Sequence, residues 1–270
     1  MQESHKKALT DPVFSIISKA ADELSVECYV IGGFVRDYFL KRGNAKDIDV
    51  VAIGSGIALA EKVASKLKDN PQISVFKNFG TAMVKHGEIE LEFVGARKES
   101  YHRDSRKPVV ENGTLQDDQN RRDFTINALA LSLNTKNFGT LLDPFDGIAD
   151  LGKGIIRTPL NPDITYSDDP LRMMRAVRFA SQLNFTIEPQ SLQAITDNKE
   201  RIHIISKERI IDELNKVMLC DTPSKGFSLL HKTGLLALIL PELTDLQGIE
   251  EIEGQKHKDN FWHTLEVVDN

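Results

Sequence analysis

The stretch Gly32-Gly33-Phe34-Val35-Arg36-Asp37, followed ten residues later by Asp47-Ile48-Asp49-Val50, constrains this chain most. Cys28-Tyr29-Val30-Ile31 before it is a β-prone run, Phe34 to Leu40 is helix-compatible, and Asp47 to Ala52 returns to a strand. Alternate residues of a strand share a face, so Asp47 and Asp49 project together while Ile48 and Val50 face a core. Two like charges held that close repel unless a cation sits between them, and carboxylate oxygens suit magnesium. The glycines let backbone approach a ligand closely, and the helix after them points N–H groups at an anion. A phosphate cradle beside a metal dyad points to phosphoryl or nucleotidyl transfer.

Around this centre the periodicity predicts a mixed sheet with helices packed on it. A helix is expected over Asp11 to Leu24, with Pro12 in its first turn and Ile16, Ile17, Ala20 and Leu24 on one face. A second helix is expected over 57–68, a strand over 73–76, and a hairpin from Thr81–His86 to Ile89–Val94. Glu90 and Glu92 alternate with apolar residues, so either could complete a three-carboxylate site for two cations. Residues 98–120 are polar and weakly periodic and are expected as a mobile loop. Arg121-Arg122-Asp123 then precedes an apolar segment expected as a helix, with Asp123 placed either as its N-cap or as an acceptor for ribose hydroxyls.

From Asp143 to Pro162 the chain is turn-rich, which sets a domain boundary there. Beyond it helices are expected over 168–183, 189–198, 207–219, 223–232 and 234–239. Within Asp168-Asp169-Pro170-Leu171-Arg172, a carboxylate and an arginine fork three residues apart could read a base edge, and Arg172, Arg175 and Arg178 form a cationic stripe. Leu171, Met174, Val177 and Ser181 form the neighbouring stripe, expected to bury. The last residues, Phe261 to Asn270, are periodic and carry no helix stop, as if a further helical domain begins there.

At 270 residues, 40% hydrophobic and 27% charged, the chain suits two modest globular domains. A net charge of −6 argues against indiscriminate coating of nucleic acid, although local arginine clusters leave room for a specific RNA. Cys28 and Cys220 sit in apolar runs and are expected as buried thiols. No run approaches the ~20 apolar residues of a membrane span, and the first residues lack a signal-peptide core. A cytoplasmic location is expected, with no membrane and no evident protein partner.

Taken in order, Gly32-Gly33-x-Val35-Arg36-Asp37, Asp47-x-Asp49, Arg121-Arg122-Asp123 and Asp169-x-x-Arg172 resemble the motifs of the class II tRNA nucleotidyltransferase and bacterial poly(A) polymerase family. The resemblance runs from about Tyr29 to Leu240, and Ser206 to Leu214 is similar to the family's helical neck. It departs at Asp168, where the family usually has Glu. It implies an α+β fold: a polymerase-β-like head over 1–150, a helical neck over 151–250, and over 251–270 the start of a truncated HD-like domain. No His-Asp dipeptide occurs, so an HD-type metal site is not complete here.

By position, the resemblance makes Asp47 and Asp49 the metal ligands for Mg2+ and prefers Glu92, five residues before Arg97, as third catalytic carboxylate. Gly33, Arg36, Arg122 and Asp123 would bind nucleotide, Asp169 and Arg172 would template cytosine and adenine, and Arg175 and Arg178 would complete the pocket. The implied activity is template-independent addition of CCA to the 3′ end of tRNA from CTP and ATP. Alternatives are a poly(A) polymerase, an A-adding enzyme and a non-catalytic RNA-binding module. Arg97, Glu99, Arg103, Asp104 and Arg106 resemble the loop of members that add the final A.

Overall fold

A computed structural model describes residues 4–43, 46–68, 71–102, 105–248, 251–252, 255–256 and 259–270, with side chains left aside over 100–109 and 249–258. Two compact units emerge: Met1–Ser100 with Pro108–Lys153, and Tyr101–Lys107 with Gly154–Asn270.

The first unit is built as α1 (Pro12–Glu23), β1 (Cys28–Ile31), α2 (Gly33–Phe39), β2 (Asp47–Ala52), α3 (Gly56–Ala64), β3 (Ile73–Phe76), β4 (Thr81–His86) and β5 (Ile89–Gly95). β6 (Arg97–His102), β7 (Ser105–Asn112), α4 (Leu115–Asn120), β8 (Ala130–Ser132), β9 (Leu141–Leu142) and α5 (Gly147–Lys153) follow, with Tyr101 and His102 of β6 and Ser105 to Lys107 of β7 falling in the second unit. Seven strands form one sheet in the order β3-β4-β5-β2-β1-β8-β9. Only β2 and β5 run parallel; the other neighbours are antiparallel.

Alternation decides which face is dry. Ile48 and Val50 pair with Leu91 and Phe93, and these with Val84 and Ala82, all buried. α3 packs on β4 and β5, and α1 on α3. Truncating a core leucine such as Leu91 to alanine would cost ~2–5 kcal/mol. On the opposite face Tyr29, Ile31, Val51, Ala96 and Ala130 make a second cluster, with Leu115 of α4 packed against it. That cluster gives way along β2 to Asp49 and then Asp47.

α1 is capped by Asp11, whose carboxylate accepts from Val13 N–H at 2.9 Å. Its buried face is Val13, Phe14, Ile17, Ala20 and Ala21, one step round from the expected set, and Leu24 lies past its end, exposed. Where a mobile loop was expected over 98–120, the described residues form β6, β7 and α4. Hydrogen bonds between β6 and β7 need no apolar period, and Thr114 and Asp117 form a capping box that starts α4. The segment after Asp123 is not a helix either. Thr125–Asn127 makes one 3-10 turn, after which Ala130–Ser132 pairs with β1, because a strand there completes the sheet.

The second unit contains β10 (Ile155–Ile156), α6 (Pro162–Asp168), α7 (Leu171–Gln182), β11 (Thr186–Ile187) and α8 (Pro189–Asn198). α9 (Lys207–Met218), α10 (Pro223–Thr233), α11 (Leu235–Ile239) and α12 (Pro241–Thr244) follow, and the unit ends with α13 (Asn260–Val268). β10 pairs with β11 in parallel, α6 packs on α8, and α7 packs on α9 and α10. The expected helix over 168–183 is α7, and α6 precedes it over residues that carried no helix expectation. Asn161 caps α6, and Pro170, which lacks an N–H, divides it from α7. α5 likewise occupies part of the stretch read as turns. The stripe Leu171, Met174, Val177 and Ser181 is buried as expected. Cys28 is buried and its thiol is pushed up to about 12 by burial, whereas Cys220 is half-buried, being past the end of α9. Among the described residues no helix is long and apolar enough to cross a membrane.

Candidate active site

The register of β2 builds the site. In the parallel pairing Asp47 lies opposite Glu90 and Asp49 opposite Glu92, so four acids share one face of two adjacent strands. They are not equivalent. Glu90 reaches outward to Lys85 at 3.8 Å, both well exposed. Glu92 stands beside Asp49 with its proton affinity raised, first by burial and then by Asp49, against the pull of Arg97 and Arg122. Asp49 is raised too. Protein crowding the carboxyl is the largest cause, Arg122 opposes it, and Asp118 and Asp47 add repulsion. Its side chain still keeps 45% of its surface open. Crowded on one side and open on the other, it is placed to meet a ligand.

Arg122 approaches Asp49 from α4's end, with Nη1 4.0 Å from Oδ2. Gly32 lies directly beneath. Its φ of +82° belongs to glycine, and a Cβ there would sit 2.9 Å from Arg122 Nη1 and 3.4 Å from Asp49 Oδ2. Gly33 opens α2. Arg36, buried, donates from Nε and Nη2 to Asp37 at 2.8 and 2.9 Å and from Nη1 to Asn127 Oδ1 at 2.8 Å. Asn127 passes a hydrogen bond to Asp123 Oδ1 at 2.9 Å, and Phe124 N–H donates to the same oxygen at 2.8 Å. Arg36 and Asp123 are therefore tied into one buried chain under the glycine turn.

One residue escaped the sequence reading. Asp118, wholly buried on α4, accepts from Arg121 Nε at 2.9 Å and from Arg122 Nε at 3.2 Å. The signal was available: Thr114-x-x-Asp117 marks a helix start, which puts Asp118 three and four residues from the two arginines.

In the second unit Asp169 ends α6 and its Oδ1 accepts from Leu171 N–H at 3.2 Å. Arg172, half-buried, donates to Thr165 O at 3.5 Å. Arg175 lies 5.4 Å from the centre of the Phe179 ring and Arg178 4.0 Å. Arg178 also donates to Glu213 at 2.6 Å. Arg103 and Asp104 lie outside the described residues, and the side chain of Arg106 among those left aside.

The donor set around Asp49 is all hard oxygen and carries excess negative charge, which fits a divalent cation. Among the described residues no three His, Cys, Asp or Glu converge tightly enough to hold an ion unaided. Asp47 and Asp49 are the donors the fold offers, with Glu92 across the register.

Residues 28–157 match the poly A polymerase head domain, and 184–247 match the probable RNA and SrmB- binding site of polymerase A. The CCA-adding enzyme of Lactobacillus johnsonii is 37% identical over 230 residues, 81% of this chain and 53% of that protein. The chain belongs to the class II tRNA nucleotidyltransferase and bacterial poly(A) polymerase family. Within this family, the A-adding tRNA nucleotidyltransferase of Aquifex aeolicus is 34% identical over 89% of this chain and 29% of its own length. The Thermotoga maritima CCA-adding enzyme, solved with tRNA, superposes with a TM-score of 0.77 at 30% identity, covering 90% of this chain and 57% of that one. The chain thus spans about half or less of these relatives, and the family's α+β fold is the fold observed here.

Proposed function

We propose that this chain catalyses template-independent nucleotidyl transfer to the 3′ end of tRNA, adding CCA from CTP and ATP. The observation that carries the reading is the register placing Glu92 beside Asp49, with Arg122 within 4.0 Å of that aspartate. It is supported by similarity to the Lactobacillus johnsonii CCA-adding enzyme and to the Thermotoga maritima enzyme solved with tRNA.

Asp47 and Asp49, with Glu92 as third carboxylate, would hold Mg2+. Bound there in a two-metal arrangement, Mg2+ would neutralise phosphate charge and ease ionisation of the attacking hydroxyl. The chain's own residues then do positioning work. Arg122 would present its terminal amino groups to the triphosphate, and the Gly32-Gly33 turn leaves the backbone room to approach it. Arg36 and Asp123, locked through Asn127, would keep that turn in place beside the ribose. Asp169 and Arg172 would select the base by paired acceptor and donor, with Arg175 and Arg178 lining the base's pocket. The tRNA 3′ oxygen bonds to the α-phosphorus, the α–β bridging bond breaks, and pyrophosphate leaves. No side-chain nucleophile is required. Such an enzyme would work in the cytoplasm, where tRNA matures.

The test is extension of tRNA lacking its 3′ end, with CTP, ATP or both, resolving product lengths. CCA is expected. Addition of A alone to tRNA already ending in CC would assign the A-adding activity instead, long A tails a poly(A) polymerase, and no product at all a non-catalytic RNA-binding module.

A further inference from the structure

We propose that Asp118 is a positioning residue that aims Arg122 at the triphosphate, a role that rests on the nucleotidyl-transfer reading above. A carboxylate with no exposed surface carries a desolvation cost of several kcal/mol unless it is paired, so what it holds matters. Asp118 spends Oδ1 on Arg121 and Oδ2 on Arg122. Arg121 is shared further with Glu99, 3.5 Å away, and Glu99 pairs with Arg97 at 2.8 Å. Two neighbouring arginines are thus anchored to one buried acid, itself set by the capped start of α4.

The consequence falls on Arg122. Asp118 takes its Nε, so the guanidinium cannot turn, and Nη1 is left pointing at Asp49. A Cβ at Gly32 would meet the same nitrogen at 2.9 Å, so the glycine leaves that nitrogen its space. The guanidinium is thus held through Nε by a buried carboxylate, and Nη1 has the room that a side chain at position 32 would take. An arginine on a free tether would instead collapse onto the acids it is meant to leave open. Asp118 touches neither substrate nor cation and acts only through its neighbour.

A double-mutant cycle tests this: wild type, Asp118→Asn, Arg122→Ala and the double variant, each measured for equilibrium CTP binding, for KM and kcat of CTP addition, and for thermal midpoint. Loss of a charge-assisted hydrogen bond should raise the CTP Kd and KM about tenfold in Asp118→Asn. Adding that change to Arg122→Ala should then weaken binding by no more than about twofold, since coupled residues are not additive. Unchanged CTP binding in Asp118→Asn, or an equal loss in both backgrounds, overturns the proposal. If the amide variant does not fold, Asp118→Glu keeps the charge but shifts the fork; a folded Glu variant with wild-type CTP binding also overturns it. A wild type that binds CTP but adds no nucleotide refutes the activity and leaves the cycle readable through binding. A wild type that binds no triphosphate overturns both.

Discussion

Asp49 in the first unit and Glu213 in the second both face an arginine, and they are handled in opposite ways. Glu213 is 4% exposed, and Arg178 at 2.6 Å and Lys216 at 3.1 Å satisfy both its oxygens. Asp49 is nearly half open, stands 4.0 Å from its arginine, and shares its strand face with Asp47, Glu90 and Glu92. The closed pair neutralises itself; the open one leaves negative charge for something else to neutralise. A fold can carry such a deficit where a rigid sheet register holds the acids apart and in place, which a helix pair with long side chains does not do.

The largest effect should come from removing the open acid. Asp49→Ala or Asp47→Ala is expected to lower nucleotide addition by about 10²–10³-fold or more, the scale of losing preorganised charge at a reacting centre. The fold should survive. Because Asp49 and Glu92 hold their protons more firmly folded than unfolded, the stability they lend is full below the ordinary carboxylate range and is lost as pH rises through their raised values. Asp49→Asn should therefore melt above wild type at neutral pH, the gap closing by about pH 4. Thermal midpoints across that range, without divalent cation, check this. A wild type that outlasts the amide variant at neutral pH would show that the charge deficit does not exist.

Breaking the closed pair should do the reverse, costing stability first. Glu213→Ala takes the carboxylate away from Arg178, which is mostly buried, and from Lys216, and breaking a buried pair runs to ~3–5 kcal/mol. Urea unfolding followed by far-UV circular dichroism measures it. A loss under about 1 kcal/mol would place Arg178 among exposed pairs, and the contrast with Asp49 would fail.

Much of this contrast was legible in the sequence, because period decides it. Asp47-Ile48-Asp49-Val50 can bury Ile48 and Val50 only by turning both acids the other way, and Gly32-Gly33 marks a turn. What stayed hidden depended on partners far along the chain. Strand register separates Glu92 from Glu90, and alternation treats them alike. Arg178 read only as part of a cationic stripe because Glu213 lies thirty-five residues on. Residues 98–120 read as a loop because hydrogen bonds between two short strands leave no apolar trace. Asp118 was masked by that same reading.

A smaller effect should follow at the hinge between glycine and arginine. Gly32→Ala adds a methyl group where φ is +82° and where Arg122 Nη1 lies 2.9 Å away. The backbone strain should cost ~1–3 kcal/mol in stability. Because the displaced atom belongs to Arg122, KM for CTP should rise more than that loss alone would bring, and assay well below the melting midpoint separates the two. If KM holds while stability falls, Gly32 shapes the turn without guarding the arginine.

The smallest effect should distinguish two acids two residues apart. Glu90 pairs with Lys85 at 3.8 Å, with 44% and 68% of the two side chains exposed, and solvent screening leaves such pairs worth about 0–1 kcal/mol. Its Cα partner in β2 is Asp47, at the exposed end of the strand, whereas Glu92 partners the crowded Asp49. Glu90→Gln should thus leave both melting midpoint and turnover close to wild type. Glu92→Gln should lower apparent magnesium affinity in the addition assay, because a donor oxygen beside Asp49 loses its charge. Magnesium titrations of the two variants under one set of conditions decide it. Equal shifts in both would mean that strand face alone, without register, governs which acids serve the site.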